Sequence, residues 1–221
     1  FNTKDIKDAI KEIITNPIIF SYAILTAAFY APFGAIADIW GVSFFMKCNM
    51  ERATATNMAM QIYIGAALSA LLVPWLCEKY NKLDLGIFVS WILMTIFLGA
   101  IIFASYLNIL LLSFVVIGIG VISSSEILCF TAASHYTTPS HSGTVLGLVN
   151  TFSVMGSAFV TNLIGFALDF RWDNVCDLNG VRVYCQNDYM YALSSILIFV
   201  VLIGFLSFRI YKRFKIDNNN W

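Results

Sequence analysis

Charge is what this chain has least of. Only 12% of its 221 residues are Asp, Glu, Lys or Arg, against about a quarter in an ordinary soluble domain. With 59% hydrophobic residues, there are too few charges to cover a core of that size. Much of the surface is therefore apolar, and lipid is the solvent that accommodates it. Charge of one sign is lacking too: 13 basic residues balance 13 acidic ones, so no basic field exists to attract nucleic acid. The two histidines, His135 and His141, flank Pro139 with no acid or cysteine at metal-ligand spacing, so neither a metal nor a cofactor is expected. There is no H-E-x-x-H, no nucleophile elbow and no pair of catalytic acids in the apolar runs, which argues against an enzyme. Of five cysteines, Cys48, Cys77 and Cys129 are scattered. Cys176 and Cys185 share one hydrophilic segment, where an oxidising compartment would permit a disulfide.

What the chain does have is long apolar runs. Six are close to 20 residues or longer: 16–40, 53–76, 85–106, 109–133, 143–168 and 190–211. Each can cross a hydrocarbon layer about 30 Å thick as a helix. Pro32 and Pro74 fall inside runs, which membrane helices tolerate when neighbours satisfy the freed carbonyls. The expected fold is all-α: a polytopic membrane protein with a six-helix bundle over residues 16–211, a charged amphipathic segment over 1–15 and a tail over 212–221. Ile6, Ile10, Ile13 and Ile14 recur at helical spacing among the charges of the first segment, as in a helix lying on a membrane surface or packed on protein. Six spans leave both ends on one side. That side carries nine basic residues (Lys4, Lys7, Lys11, Lys79, Lys82, Arg209, Lys212, Arg213 and Lys215) and the other carries four (Lys47, Arg52, Arg171 and Arg182). The excess places both ends in the cytoplasm, with the long hydrophilic loop 169–189 outside.

The second and fifth runs align without gaps at an offset of 91, which sets Gly65 on Gly156, Ala67 on Ala158, Pro74 on Gly165 and Glu78 on Asp169. One run is even-numbered and the other odd, so they traverse the bilayer in opposite directions. Two inverted three-helix repeats would produce that relation. Small residues such as Gly65 with Ser69, and Gly156 with Ser157, are the kind that let membrane helices approach closely.

Glu126 is the sharpest candidate for function, as an acid deep within a run. An acidic or basic residue at a helix centre costs roughly 2.5–3.5 kcal/mol on insertion scales, so its presence calls for a role. It can line a solute path or carry a proton; its plain alternative is a protonated carboxyl bonded to a neighbouring helix. Asn150 and Gln61 offer amides that could bind a zwitterionic solute or simply join helices. Tyr22 and Tyr30, eight residues apart and near one helix face, are either path-lining or packing residues. Asp38 reads as an interfacial charge. A channel or structural membrane subunit is the competing class, although no ring of like charge or backbone filter is visible.

Four stretches resemble the carboxy-terminal half of the major facilitator superfamily of transporters. The first leads through Asn16 and Pro17 into a helix ending DIWGVSFF (38–45). PWLCEKYNK (74–82) is similar to the superfamily's cytoplasmic signature GxxxDxxGR, with Glu78 at the acidic position and Lys79 and Lys82 at basic ones; Pro74 and Asn81 stand where the signature has glycines. The others are PSHSGTVLGLVNTFSVMGSAF (139–159) and LDFRWDNVCDLNGVRVYCQNDYMYAL (168–193). The last resembles the phagosomal nutrient transporters of intracellular bacteria, which take up amino acids. The resemblance covers the chain and implies helices seven to twelve of a secondary transporter in a bacterial inner membrane. It further implies a small polar cargo, probable coupling to H+, and gating by Glu78, Lys79 and Lys82. It also implies a second wall, supplied by a six-helix half ahead of Phe1 or by a second copy. Efflux of a drug-like solute is the alternative transport direction and class.

Overall fold

The computed structural model describes residues 7, 10, 11, 15–176 and 180–218, with only the backbone for 210, 211 and 213–218. Six helices in it are long and apolar enough to cross a membrane: α1 Pro17–Lys47, α2 Arg52–Lys79, α3 Leu83–Ile102, α4 Ile109–Ser134, α5 Ser142–Phe170 and α6, whose apolar part is Gln186–Arg209. No strand is formed among the described residues, apart from one isolated antiparallel bridge between Cys176 and Arg182. Most of the expected amphipathic segment 1–15 lies outside the described residues; Lys7, Ile10, Lys11 and Thr15 within it are helical.

Local chemistry sets the helix starts. Asn16 caps α1, its Oδ1 accepting from the Ile18 and Ile19 amides at 3.0 and 3.4 Å, and Pro17 at the first position needs no partner for a missing N–H. Asn108 caps α4 through the Leu111 amide at 2.8 Å. The ends differ from the apolar runs where hydropathy and backbone chemistry part company. α1 continues to Lys47, seven residues past the run, because nothing breaks the backbone until Asn49 takes a positive φ of 63°. α3 stops at Ile102, and Ala104–Tyr106 form a separate 3-10 turn. α6 carries on as helix to Asn218, so the expected tail begins as an extension of the last span.

Two helices are irregular inside the apolar layer. In α1 the backbone widens over Phe33–Trp40 into π-helix, with the Gly41 amide reaching back to the Ile36 carbonyl. Gly41 permits this turn, since a β-carbon there would collide with that carbonyl. α4 breaks between Ile109–Ser123 and Glu126–Ser134. There Ser124 Oγ donates to the Val121 carbonyl at 2.7 Å and Ser125 Oγ to Ser90 Oγ of α3 at 2.7 Å. Serine hydroxyls that compete for helix carbonyls loosen the turn they sit in.

α1 is the most enclosed helix and α2 the least. The most extensive contacts join α1 to α5 and α2 to α4, followed by α1 to α6, with α3 packed on α4 and α6. Both leading contacts use glycine. Gly65 of α2 lies on the Ile117 carbonyl of α4 and Gly120 of α4 on the Ile62 carbonyl of α2, while Gly156 of α5 lies on Ala27 of α1 and Gly34 of α1 on the Ser157 side chain of α5. A β-carbon at any of the four would overlap these atoms. Such close approach replaces the hydrophobic drive that lipid removes. Side-chain bonds to the backbone add to it: Trp40 Nε1 to the Thr161 carbonyl at 3.1 Å ties α1 to α5, and Trp91 Nε1 to the Val200 carbonyl at 3.0 Å ties α3 to α6. The outside is greasy, with Leu71 and Leu110 82% and 80% exposed.

Candidate functional site

Two polar clusters lie within the apolar layer, one between α1 and α2 and one between α4 and α5. On α1, the wide turn carries Asp38, whose Oδ1 accepts a hydrogen bond from the Tyr63 hydroxyl of α2. Phe33 connects this pair to Tyr30: its ring stacks on Tyr30 at 5.8 Å and meets Tyr63 edge-on at 5.0 Å. The second group begins at the α4 break. Glu126 opens the new helical segment and accepts from Ser153 Oγ of α5 at 2.5 Å. Burial differs across the site: Ser153 is buried, Glu126 and Tyr30 are half-buried, and Asp38 and Tyr63 are exposed.

Of the residues singled out from sequence, Tyr30 lies beside the Asp38–Tyr63 pair through Phe33, and Glu126 lies with Ser153. Asn150 lies three residues before Ser153 on α5 and is exposed. Gln61 lies two residues before Tyr63 on α2; its Oε1 is buried and has no hydrogen-bond partner among the described residues. Tyr22 is elsewhere. It is buried near the start of α1, donates to Asp84 Oδ1 of α3 at 2.9 Å and packs against Tyr136 at 6.2 Å, so Tyr22 and Tyr30 do not share a site. Asp38 is a member of the polar cluster as well as a charge near a helix end. Sequence reading did not find Tyr63, Phe33 or Ser153. The one available signal was the local polarity of 123–126, which pointed to Glu126 but not to the helix opposite it.

The 74–82 segment ends α2 in a tight turn. The Asn81 amide bonds the Glu78 carbonyl at 3.0 Å and the Lys82 amide bonds the Cys77 carbonyl at 2.9 Å, with Asn81 at a φ of 50°. This is the paired closure of a helix C-terminus that needs a left-handed residue, a position glycine usually fills and asparagine tolerates. Asn81 therefore preserves the backbone turn without glycine. Lys79 Nζ sits 4.7 Å from the Trp75 ring, and Glu78 makes no ion pair among the described residues.

The loop between α5 and α6 is held by charge. Asp169 accepts from Arg182 at 2.6 Å and from the Tyr184 hydroxyl at 2.5 Å, and Arg171 pairs with Asp188 at 3.2 Å. The Asp169 carboxylate raises the Arg182 pKa, and burial, then the bond to Asp169, raises that of the Tyr184 phenol. Cys176 and Cys185 are both exposed and their sulfurs are not joined. Cys176 is instead held in the bridge with Arg182, and Cys185 turns its amide to Asp188 Oδ2 at 2.8 Å. No group of His, Cys, Asp and Glu among the described residues is arranged to hold a metal.

No protein-family model and no curated protein matches the chain.

Proposed function

We propose that this chain is a six-helix half of a secondary transporter of the major facilitator type. It would move a small polar nutrient, an amino acid by preference, across a bacterial inner membrane by alternating access. The observation that carries the reading is the distribution of polar groups. Asp38, Tyr30, Tyr63, Gln61, Glu126, Ser153 and Asn150 lie on α1, α2, α4 and α5, whereas the ionisable groups of α3 and α6 lie toward their ends. A helix pair facing only lipid needs no interior acid; a wall facing a solute does. The acids and the phenols suit an ammonium group, and the unpartnered Gln61 Oε1 is an acceptor that a solute N–H would satisfy.

The helix contacts also favour two inverted repeats. Exchanging α1 with α4, α2 with α5 and α3 with α6 maps the α1–α5 contact onto α4–α2, the two most extensive in the bundle. It also maps Gly65 on α4 onto Gly156 on α1, the pair that the sequence offset of 91 aligns. A wall of this kind needs a second half, either a further six helices or a second copy, to rock against. The basic excess at the helix ends near Lys82 and Arg209 favours a cytoplasmic position for both ends.

The test is uptake into proteoliposomes of the whole protein under an imposed pH gradient, with radiolabelled amino acids as solutes. Wild type should accumulate solute only with the gradient. Glu126→Gln should abolish gradient-driven accumulation while exchange of solute across the membrane continues, because the amide keeps the bond to Ser153 but carries no proton. Full gradient-driven uptake by Glu126→Gln refutes proton carriage by this residue. Linear, unsaturable flux through wild type refutes alternating access.

A further inference from the structure

Asp38 is an acid without a cation. Its side chain is exposed, Oδ1 accepts from the Tyr63 hydroxyl, and Oδ2 accepts no hydrogen bond among the described residues. No basic side chain among those residues pairs with it. A hydrogen bond from a neutral phenol steadies a carboxylate and leaves it charged. Depth makes that charge costly. Tyr63 lies eleven residues into α2 from Arg52, about 16 Å of helix, so in a bilayer the pair lies well below the surface. A carboxylate there faces a polar path and not lipid. The wide turn of α1 places Phe33 one turn before Asp38, and the Phe33 ring stacks on Tyr30 and meets Tyr63 edge-on. Three rings therefore gather beside the carboxylate. Every Lys, Arg and His of the described residues lies at or beyond an end of one of the six spans. No base within the layer offsets Asp38.

We propose that Asp38 binds an organic ammonium, and that the solute carries net positive charge: an amino acid with a basic side chain, or the corresponding amine. The ammonium donates to Asp38 Oδ2, the oxygen left open by Tyr63, in a charge-assisted hydrogen bond. The methylenes next to it lie along the rings of Tyr30, Phe33 and Tyr63, whose faces attract the cation as well. A neutral amino acid adds no net charge to the wall and leaves its negative charge standing; a cationic one cancels it. The inference rests on the transport reading for the path that Asp38 faces. It adds the charge of the cargo and the group that reads it.

The test is equilibrium binding of radiolabelled lysine to the whole protein purified in detergent, with no gradient present. Unlabelled lysine, cadaverine and norleucine are the competitors; norleucine keeps the lysine chain without its terminal ammonium. Wild type should bind lysine, and norleucine should need a concentration about tenfold higher or more to displace it. Displacement by cadaverine as well as lysine identifies an amine as a sufficient ligand, and displacement by lysine alone identifies a basic amino acid. Asp38→Asn keeps the side-chain shape and an oxygen for Tyr63, and should weaken lysine binding by about tenfold or more. Asp38→Glu, which restores the charge, should bind lysine better than Asp38→Asn does. Norleucine competing as well as lysine, no lysine binding by wild type, or wild-type affinity in Asp38→Asn each overturns the proposal. The two readings fail separately. Lysine binding by a protein that shows no gradient-driven uptake sinks the transport reading and leaves the site, whereas gradient-driven uptake of neutral amino acids without lysine binding sinks the site alone.

Discussion

The 2.5 Å contact between Glu126 and Ser153 joins two helices at the point where one of them is broken. The break and the contact have one cause. Within three consecutive serines, Ser124 Oγ bonds the Val121 carbonyl and Ser125 Oγ bonds Ser90 of α3, the helix restarts at Glu126, and the carboxyl is left at the first turn of a helix beside a serine on α5. Removing the serine should loosen the acid without deleting it. Ser153→Ala should weaken solute exchange by about threefold to tenfold, the range of one hydrogen bond, and adding it to Glu126→Ala, which has already lost that bond, should cost little more. Measured as a double-mutant cycle of initial solute-exchange rates, additivity would show that the two residues act separately. Cysteines provide a second residue-scale prediction. Burial raises the Cys48 thiol to about 11, so it stays protonated at neutral pH and should react with maleimide far more slowly than the exposed Cys176 and Cys185, as followed by intact mass.

At the scale of the element, the C-terminus of α2 shows how a substitution can keep a turn. Asn81 holds a φ of 50°, so Asn81→Gly should be neutral or slightly stabilising. Asn81→Val should cost about 1–2 kcal/mol, the penalty for a β-carbon in the left-handed region. Thermal unfolding in detergent, monitored by tryptophan fluorescence, separates the two. The glycine contacts make a stronger demand. Gly65 and Gly156 each face atoms of the neighbouring helix that a β-carbon would overlap, so Gly65→Val and Gly156→Val should each destabilise the bundle by roughly 1–3 kcal/mol, the usual range for overpacking. If the two positions are equivalent by repeat, the two losses should be similar. Gly147, which has open space around its position, should tolerate the same change, and a large loss there would show that valine harms these helices for another reason.

For the whole molecule, sidedness is the property that other conclusions lean on. If both ends lie in the cytoplasm, as we propose, Cys176 and Cys185 face outward and a membrane-impermeant maleimide added to intact cells should label them. Labelling only after the cells are opened would reverse the orientation. The α5–α6 loop that carries these cysteines is tied by Asp169–Arg182 and Arg171–Asp188. The Asp169–Arg182 pair, exposed on both sides, is screened by salt, so labelling of the neighbouring Cys176 should quicken as ionic strength rises.

The number of helices and their apolar character were legible in the sequence because crossing a hydrocarbon layer requires about 20 apolar residues in a row, and nothing else in a chain produces six such runs. Glu126 was legible for the same reason: an acid in such a run is conspicuous. What only the tertiary structure decided is which side chains meet. Tyr22 and Tyr30 share an approximate helix face, yet one bonds Asp84 and the other stacks on Phe33, because the helix between them is packed against different neighbours at its two levels. Ser153 and Tyr63 are ordinary residues in sequence. They gain significance from what lies across the helix interface, a relation that hydrophobic periodicity cannot encode because lipid and protein neighbours are equally apolar.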